Sequence, residues 1–435
     1  MSMKSQDSMP VTKVERSAKF VKTGFQIGGN YIKHYSKKLF NPDMNRDELN
    51  EDNASDIYRS LSQLKGSALK IAQMLSMDKN ILPKAYVNKF SLSQYNAPPL
   101  SGPLIVKTFS KSFGKTPDKL YDHFNIQSRH AASIGQVHEA NLNNKKLAVK
   151  VQYPGVKDSI SSDLKLVKPF AFRLLGMNEK ELNIYIKEVE ERLVEETDYE
   201  LEVRRSIEIS KACKELKNVV FPNYYPKLSS PKIITMDWME GMHLKEFLLT
   251  KPSQKLRNKI GQALWDFYNF QQHELREVHA DPHPGNFLIT PDEKLAVIDF
   301  GCIKEIPEDF YKPFFGVLVR GVLNNKSATI QAFRELDMIQ KDDTEKQIEF
   351  YYQAYKEMIS LFALPYTSQV FDFSAPEFFE DLYSYGEKIT TMPEFKQPRG
   401  VKHFIYINRT NFGLYTILNE LGATVKTNTY QPHIS

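Results

Sequence analysis

The sequence has no run of about 18 apolar residues, the length that a helix needs to cross a bilayer, so we predict no transmembrane helix. The short apolar stretch at 359–365 ends in a proline, and the first residues lack the apolar core of a secretory signal peptide. Cysteine is scarce as well. Cys213 and Cys302 are too few for a disulfide framework and have no metal-ligand spacing, which indicates a reducing compartment.

The net charge is modest, at +5 over 435 residues, and does not indicate nucleic acid as a partner. With 41% hydrophobic and 26% charged residues, the chain has the composition of a globular protein of two or three domains. Basic side chains far outnumber Asp7 and Glu15 in the first 40 residues. This arm suits an anionic membrane surface, an organellar transit peptide or plain solvation. We expect a cytoplasmic protein, peripheral on a membrane, with organellar targeting as the alternative.

Hydrophobic spacing divides the chain into helical and strand-bearing parts. It predicts helices from Leu61 to Leu75, from about Leu104 to Phe113 and within 180–216, and strands at 133–140, 147–152 and 232–238, the first two joined by Asn143-Asn144. Four stretches result: a basic arm (1–45), a helical extension (46–125), a lobe with a small sheet (126–240) and a helical lobe (241–435). A small sheet followed by a helical domain with a polar loop is the order of a two-lobed kinase.

A polar loop and a second motif carry the strongest chemical signal. Residues 279–286 have the sequence His-Ala-Asp-Pro-His-Pro-Gly-Asn, and residues 299–301 are Asp-Phe-Gly. Phosphoryl transfer needs metal ions on the phosphates and a group that orients the acceptor. Asp281 would orient the acceptor, while Asn286 and Asp299 would bind Mg²⁺ through oxygen atoms. The alternative is a turn-rich loop followed by an unrelated motif, and the ordered occurrence of both elements disfavours it.

Two histidines beside Asp281 raise the alternative of a zinc site. Such a site would need a further ligand, and the sequence offers none nearby. We interpret His279 as a structural histidine of the loop and assign no role to His283.

Lys150 lies in an apolar segment, where a strand lysine held by a helix carboxylate would neutralise nucleotide phosphates. Alone, it would be an ordinary exposed strand residue. The candidate partners lie in the acidic run 195–202, and spacing does not choose among them. In one continuous helix they would form two faces, with Glu195, Asp198, Tyr199 and Glu202 on one and Glu196 and Glu200 on the other.

Together these motifs resemble those of the UbiB-like (AarF) atypical kinases. The resemblance covers roughly residues 60–305, in the family's order, and its segments are 69–76, 131–138, 148–155, 196–199, 279–286 and 299–301. It implies an α+β, two-lobed protein-kinase-like fold with a helical N-terminal extension over the active site.

The resemblance also assigns further positions to the nucleotide site. These are Glu202 as the partner of Lys150, Glu196 and Asp198 as an E-x-D motif near nucleotide and metals, Ala131, Ala132 and Ser133 in an alanine-rich phosphate loop, and Lys70 and Gln73 as the K-x-G-Q motif of the extension. Two positions depart from the family pattern: Ala72 replaces a glycine and His130 replaces an alanine. The small methyl of Ala72 suits a helix but leaves the geometry of its motif open, and we expect His130 to point to solvent.

The resemblance implies an enzyme that binds ATP or ADP with Mg²⁺. It would hydrolyse ATP or phosphorylate a small or lipid-like acceptor, in support of quinone and isoprenoid-lipid metabolism, with a lipid or quinone precursor as a possible ligand. A conventional protein kinase is one alternative, which the alanine-rich loop and the lack of an A-P-E motif after Asp299 disfavour. A non-catalytic nucleotide-binding scaffold is the other, and the presence of Asp281, Asn286 and Asp299 opposes it.

Overall fold

The structure is a computed structural model that describes residues 47–64, a few further single positions before residue 100, and residues 100–433. Within the last range, residues 132–133, 176–178, 319–321 and 397–398 are not described. The chain divides into two compact units. The first comprises residues 1–204 and 223–238, and the second comprises residues 205–222 and 239–435. The four stretches expected from the sequence stay a prediction.

Within the described residues, the α-helices are α1 (Asp47–Leu64), α2 (Gly102–Phe113), α3 (Val156–Leu175), α4 (Glu179–Glu196), α5 (Tyr199–Ala212), α6 (Leu244–Leu249), α7 (Gln254–Phe270), α8 (Glu308–Gly316), α9 (Lys326–Glu335), α10 (Glu345–Ala363), α11 (Pro376–Thr391) and α12 (Lys402–Leu421). The strands are β1 (His123–Phe124), β2 (His130–Ala131), β3 (Gly135–Leu142), β4 (Lys145–Gln152), β5 (Val219–Val220), β6 (Ile233–Asp237), β7 (Glu277–His279), β8 (Phe287–Ile289), β9 (Leu295–Val297), β10 (Ile303–Glu305), β11 (Val370–Asp372) and β12 (Thr424–Lys426). No described helix is long and apolar enough to cross a membrane.

An antiparallel sheet organises the first unit, in the order β1-β3-β4-β6 with β2 also paired to β3. β3 and β4 form the predicted hairpin, and its turn residues Asn143 and Asn144 have φ values of 51° and 62°. Two consecutive left-handed residues make the turn whose twist matches that of the strands, and asparagine tolerates this conformation. The predicted hairpin and the predicted strand at 232–238 are therefore confirmed.

The two faces of this sheet have different neighbours. Residues that are opposed in an antiparallel ladder project to the same face, so Val137, Lys150 and Ile234 share one face. The other face carries the buried Thr235, whose Oγ1 lies 2.8 Å from Tyr121 Oη. The rings of Tyr121, just before β1, and of Phe124, in β1, pack against Phe109 of α2. These side chains cover the second face.

A row of buried polar groups also joins the second face to the chain that precedes α2. The main-chain N–H of Leu100 donates to Gln136 Oε1 at 2.8 Å, and Gln136 Nε2 lies 2.9 Å from His138 Nε2. His138 Nδ1 lies 2.9 Å from the carbonyl oxygen of Asn125, which can only accept. His138 therefore carries its proton on Nδ1 and accepts from Gln136. Burial lowers the pKa of His138 to about 4, so the ring is neutral at pH 7.

The second unit is built around helix α7. Its Trp265 is fully buried, and the rings of Tyr366 and Phe373 lie 5.3 and 5.9 Å away. Short strand pairs complete this unit: β5 with β9, β8 with β9, β7 with β10 and β11 with β12. These pairs position the chain between β7 and β8 and between β9 and β10, where the two predicted motifs lie. Cys213 and Cys302 are buried free thiols.

The helices predicted at 104–113 and within 180–216 are confirmed as α2, α4 and α5. The helix predicted from Leu61 to Leu75 overlaps the end of α1, and its remainder lies outside the described residues.

Candidate functional site

Lys150 and Glu202 form a buried ion pair in the first unit. Lys150 Nζ lies 2.8 Å from Glu202 Oε1, and the two side chains are only 9% and 6% exposed. The centroid of the Tyr199 ring lies 5.1 Å from the same ammonium. A buried charge is costly unless it is paired, so Glu202 is what permits a charged lysine at this position on β4. An ammonium fixed in this way is suited to bind an anion such as phosphate.

The acidic run that offered several partners is not one helix. α4 ends at Glu196 and α5 begins at Tyr199. Between them, Asp198 Oδ1 accepts the main-chain N–H of Leu201 at 2.9 Å and thereby caps α5. The expectation that Glu195, Asp198, Tyr199 and Glu202 share one helix face is therefore wrong, because the helix is interrupted. Of the two E-x-D positions, Glu196 is the last residue of α4 and Asp198 lies within this interruption.

In the second unit, short-range hydrogen bonds shape the loop between β7 and β8. Asn286 Nδ2 donates to the carbonyl oxygen of Asp281 at 2.9 Å and lies 3.5 Å from Asp281 Oδ2. The main-chain N–H of His283 donates to the same carbonyl at 2.7 Å, and His283 Nδ1 accepts from Gly285 N at 3.0 Å. The amide nitrogen of Asn286 is thus committed to the loop, and its side-chain oxygen is the atom suited to bind a cation.

Asp299 follows β9 and is held through both its side chain and its main chain. Its Oδ1 accepts the N–H of Gly301 at 2.8 Å, and its carbonyl oxygen accepts from His279 Nε2 at 2.8 Å. His279 is fully buried, which lowers its pKa and keeps the ring neutral. The main-chain N–H of His279 donates to the side-chain Oε1 of Gln271 at 3.0 Å, and Gln271 begins a π-helical turn that follows α7. His279 is therefore a structural link between the two motifs, as expected.

The side chains of the two motifs suit a hard divalent cation. Asp299 and Asn286 offer oxygen atoms, which are the ligands that Mg²⁺ prefers, and nucleotide phosphates and water commonly complete its coordination. Among the described residues, no group of three or more His, Cys, Asp or Glu side chains is arranged to hold a metal ion.

Several predicted site residues have no described surroundings. Lys70, Gln73, Ala132 and Ser133 lie outside the described residues, and Ala131 is described only as a residue of β2. His130 is exposed, in agreement with our expectation, and its ring centroid lies 6.0 Å from that of Trp238.

Two supporting residues were not predicted. Gln152 is buried and its Nε2 donates to the carbonyl oxygen of Thr197 at 3.0 Å, at the junction of α4 and α5. Gly413 of α12 lies against the loop between β7 and β8, since a Cβ there would be 2.3 Å from Pro282 Cγ. Gln152 falls within the segment 148–155 that carries the family resemblance, which could have drawn attention to it. Nothing in the sequence connects Gly413 with Pro282, because only the folded chain brings them together.

Comparison with known proteins decides the family. The family model of the ABC1 atypical kinase-like domain matches residues 92–333, more than half of the chain. The chain belongs to this family. The expected relation to the UbiB-like (AarF) kinases and the α+β kinase-like fold are thereby confirmed, and the expected enzyme class, an atypical kinase, is that of the family.

Individual relatives agree with this assignment. The mitochondrial atypical kinase COQ8 of Saccharomyces cerevisiae is 31% identical over 65% of this chain and 57% of its own length. An uncharacterized chloroplastic aarF domain-containing protein kinase of Arabidopsis thaliana is 29% identical over 72% of this chain and 45% of its own. The chain spans about half of the length of the curated relatives it matches.

A solved structure supports the fold independently. A Mycobacterium tuberculosis protein, determined in complex with erythromycin, superposes with a TM-score of 0.60 at 24% identity and covers 88% of this chain and 95% of its own. At this identity the likeness concerns the fold alone.

Proposed function

We propose that the chain binds ATP with Mg²⁺ and promotes the reaction of its γ-phosphate with water or with a small or lipid-like acceptor. The observation that carries the proposal is the buried ion pair of Lys150 with Glu202, which maintains a charged amine for the phosphates. Asp281 would orient the acceptor or the water. Asn286 and Asp299 would hold Mg²⁺, which neutralises charge on the phosphates.

The remaining positions implied by the family resemblance are proposed as nucleotide contacts. The backbone of the alanine-rich loop would approach the phosphates, and the E-x-D and K-x-A-Q motifs would lie near the nucleotide. The residues concerned are Ala131, Ala132, Ser133, Glu196, Asp198, Lys70 and Gln73.

A protein acceptor is the second candidate, and the chain after Asp299 disfavours it. Protein kinases carry an activation segment between the Asp-Phe-Gly motif and the next helix, and this segment controls their activity. Here only residues 302–307 lie between Gly301 and α8, and β10 occupies half of them. So short a connection favours water or a small acceptor over a protein chain.

We further propose an isoprenoid lipid or quinone precursor as the acceptor or effector, and an organelle as the location. In support, several relatives are named as mitochondrial or chloroplastic. The basic first 40 residues suit a transit peptide or an anionic membrane surface.

Co-sedimentation with anionic liposomes should be strong at low salt and weak at high salt, because salt screens the attraction between basic side chains and anionic lipids. Salt-independent binding, or none, would remove the electrostatic membrane contact from the proposal.

Asp299→Asn tests the nucleotide assignment. Asparagine keeps an oxygen for the N–H of Gly301 while it removes the charge that a divalent cation requires. ATP with Mg²⁺ should raise the unfolding temperature of the wild type, because a ligand stabilises the state that binds it. The variant should lose the Mg²⁺-dependent part of this shift, together with phosphate release.

Asp292→Asn is the matched control for this experiment. Asp292 is an exposed turn carboxylate in the same unit, paired with Lys294, and its removal should leave nucleotide binding unchanged. If Asp299→Asn released phosphate from ATP as fast as the wild type, the site assignment would be wrong.

A further inference from the structure

Gln152 lies two residues after Lys150 on β4, and its side chain is buried. Its Nε2 donates to the carbonyl oxygen of Thr197 at 3.0 Å. Thr197 stands between the end of α4 and the start of α5, where carbonyl groups lack regular helical partners. The strand that carries the candidate phosphate lysine therefore also holds the junction that precedes α5.

Tyr199, the first residue of α5, packs into the same part of the sheet. Its side chain is fully buried. Gly135 is opposed to Gln152 in the β3–β4 ladder, and a Cβ on Gly135 would lie 2.9 Å from Tyr199 Oη and 2.5 Å from the carbonyl oxygen of Val151. The glycine that follows the alanine-rich loop is therefore required by the packing of Tyr199 and of the β4 backbone.

Glu202 lies one helical turn beyond this junction. Its N–H donates to the carbonyl oxygen of Asp198 at 3.0 Å, in the first turn of α5. A hydrogen-bonded helical turn moves as a unit, so the place where α5 begins decides where the Glu202 carboxylate lies. Holding Thr197 at β4 consequently holds Glu202 within reach of Lys150 on the same strand.

We propose that Gln152 is a positioning residue whose amide fixes the start of α5 and thereby sets Glu202 against Lys150. Its effect on the ion pair follows from the geometry alone, whereas its effect on nucleotide rests on the proposed function. Without the amide donor, the buried carbonyl of Thr197 loses this partner and the first turn of α5 can shift. The ion pair, and with it the phosphate site, would then weaken.

Gln152→Met provides the first test, because methionine is similar in length and shape but has no donor. The readout is the rate at which an amine-acylating reagent labels Lys150, measured by mass spectrometry relative to the exposed Lys157. We expect Lys150 to be labelled roughly tenfold faster, in line with the loss of one buried hydrogen bond. If the variant does not fold, Gln152→Leu carries the same test, since it also lacks the donor and adds no charge to the buried site.

Gln262→Met is the matched control. Gln262 Nε2 also donates to a main-chain carbonyl, that of Lys426 at 3.0 Å, but within the second unit. This variant loses an exposed amide-to-carbonyl bond, together with the bonds of Gln262 to Asp266 and to the N–H of Lys426, and should label Lys150 at the wild-type rate. Equal labelling rates in Gln152→Met and in the wild type would overturn the proposal.

A double-mutant cycle distinguishes positioning from general destabilisation. Gln152→Met should weaken Mg²⁺-ATP binding roughly tenfold in the wild type but less than about twofold in the Glu202→Gln background, because the two residues act on one interaction. Equal losses in both backgrounds would overturn the proposal. If the wild type bound no nucleotide, the proposed function would fail, and faster labelling of Lys150 in Gln152→Met alone would still uphold the positioning role.

Discussion

The two groups of candidate site residues are held by different kinds of contact. In the first unit, Lys150 and Glu202 are 52 positions apart, and their ion pair exists only when β4 and α5 have packed. In the second unit, Asn286 bonds to Asp281 over five positions and Asp299 to Gly301 over two. Local bonds form as soon as the loop adopts its turns, whereas the ion pair depends on tertiary packing. We therefore expect a substitution in the pair of Lys150 and Glu202 to lower stability more than a substitution in the second group.

Lys150→Met should have the largest effect on stability and tests the difference between the two groups directly. The substitution leaves the Glu202 carboxylate buried without its cation, which costs about 3–5 kcal/mol of stability. Urea denaturation should show a lower unfolding midpoint, and Mg²⁺-ATP binding should be lost. The double variant with Glu202→Met should recover much of the stability but none of the binding, because a buried pair can be replaced by apolar side chains. If Lys150→Met were as stable as the wild type, the buried ion pair of Lys150 with Glu202 would not contribute as we expect.

Gly413→Ala tests whether local hydrogen bonds alone shape the loop between β7 and β8. The new methyl would meet Pro282, and overpacking of this kind costs about 1–3 kcal/mol. Phosphate release should fall as well, because Pro282 adjoins Asp281. Gly316→Ala in α8 is the control: its Cβ would meet nothing within 4 Å, so stability should stay the same or rise slightly. Unchanged stability and activity in Gly413→Ala would show that local hydrogen bonds suffice to shape the loop.

The pH dependence of the first unit gives the smallest expected effect. The folded-state pKa of His138 is about 4, below the ordinary value of 6.5, so the unfolded chain binds more protons between these values. The stability that His138 contributes is present above about pH 6.5 and is lost as the pH falls towards 4. Between pH 7 and 5.5 this loss amounts to about 1 kcal/mol. His138→Gln should reduce the difference between urea midpoints at the two pH values, and an unchanged difference would contradict the neutral, buried ring.

The elements that were predicted correctly from the sequence are those with a local signal. Alternating apolar residues with Asn143-Asn144 predicted the hairpin, because both the strand period and the left-handed turn residues depend on neighbouring positions. The acidic run was interpreted wrongly, because helical spacing placed its side chains on two faces of one continuous helix, whereas the chain ends one helix and begins another. The junction between the two helices is also held by the bond of Gln152 on β4 to Thr197, a contact over 45 positions that no short window of the sequence contains.

The sequence by itself therefore determined the membership of an atypical kinase family, the two motifs of the second unit and the strand that carries Lys150, because each is a short pattern of residue types. Only the tertiary structure decided how Glu202 comes to be the buried partner of Lys150, how Gln152 and Gly135 accommodate the start of α5 and why α12 has a glycine opposite Pro282. These are contacts between distant segments, and their energies depend on burial and distance, which exist only once the chain has folded.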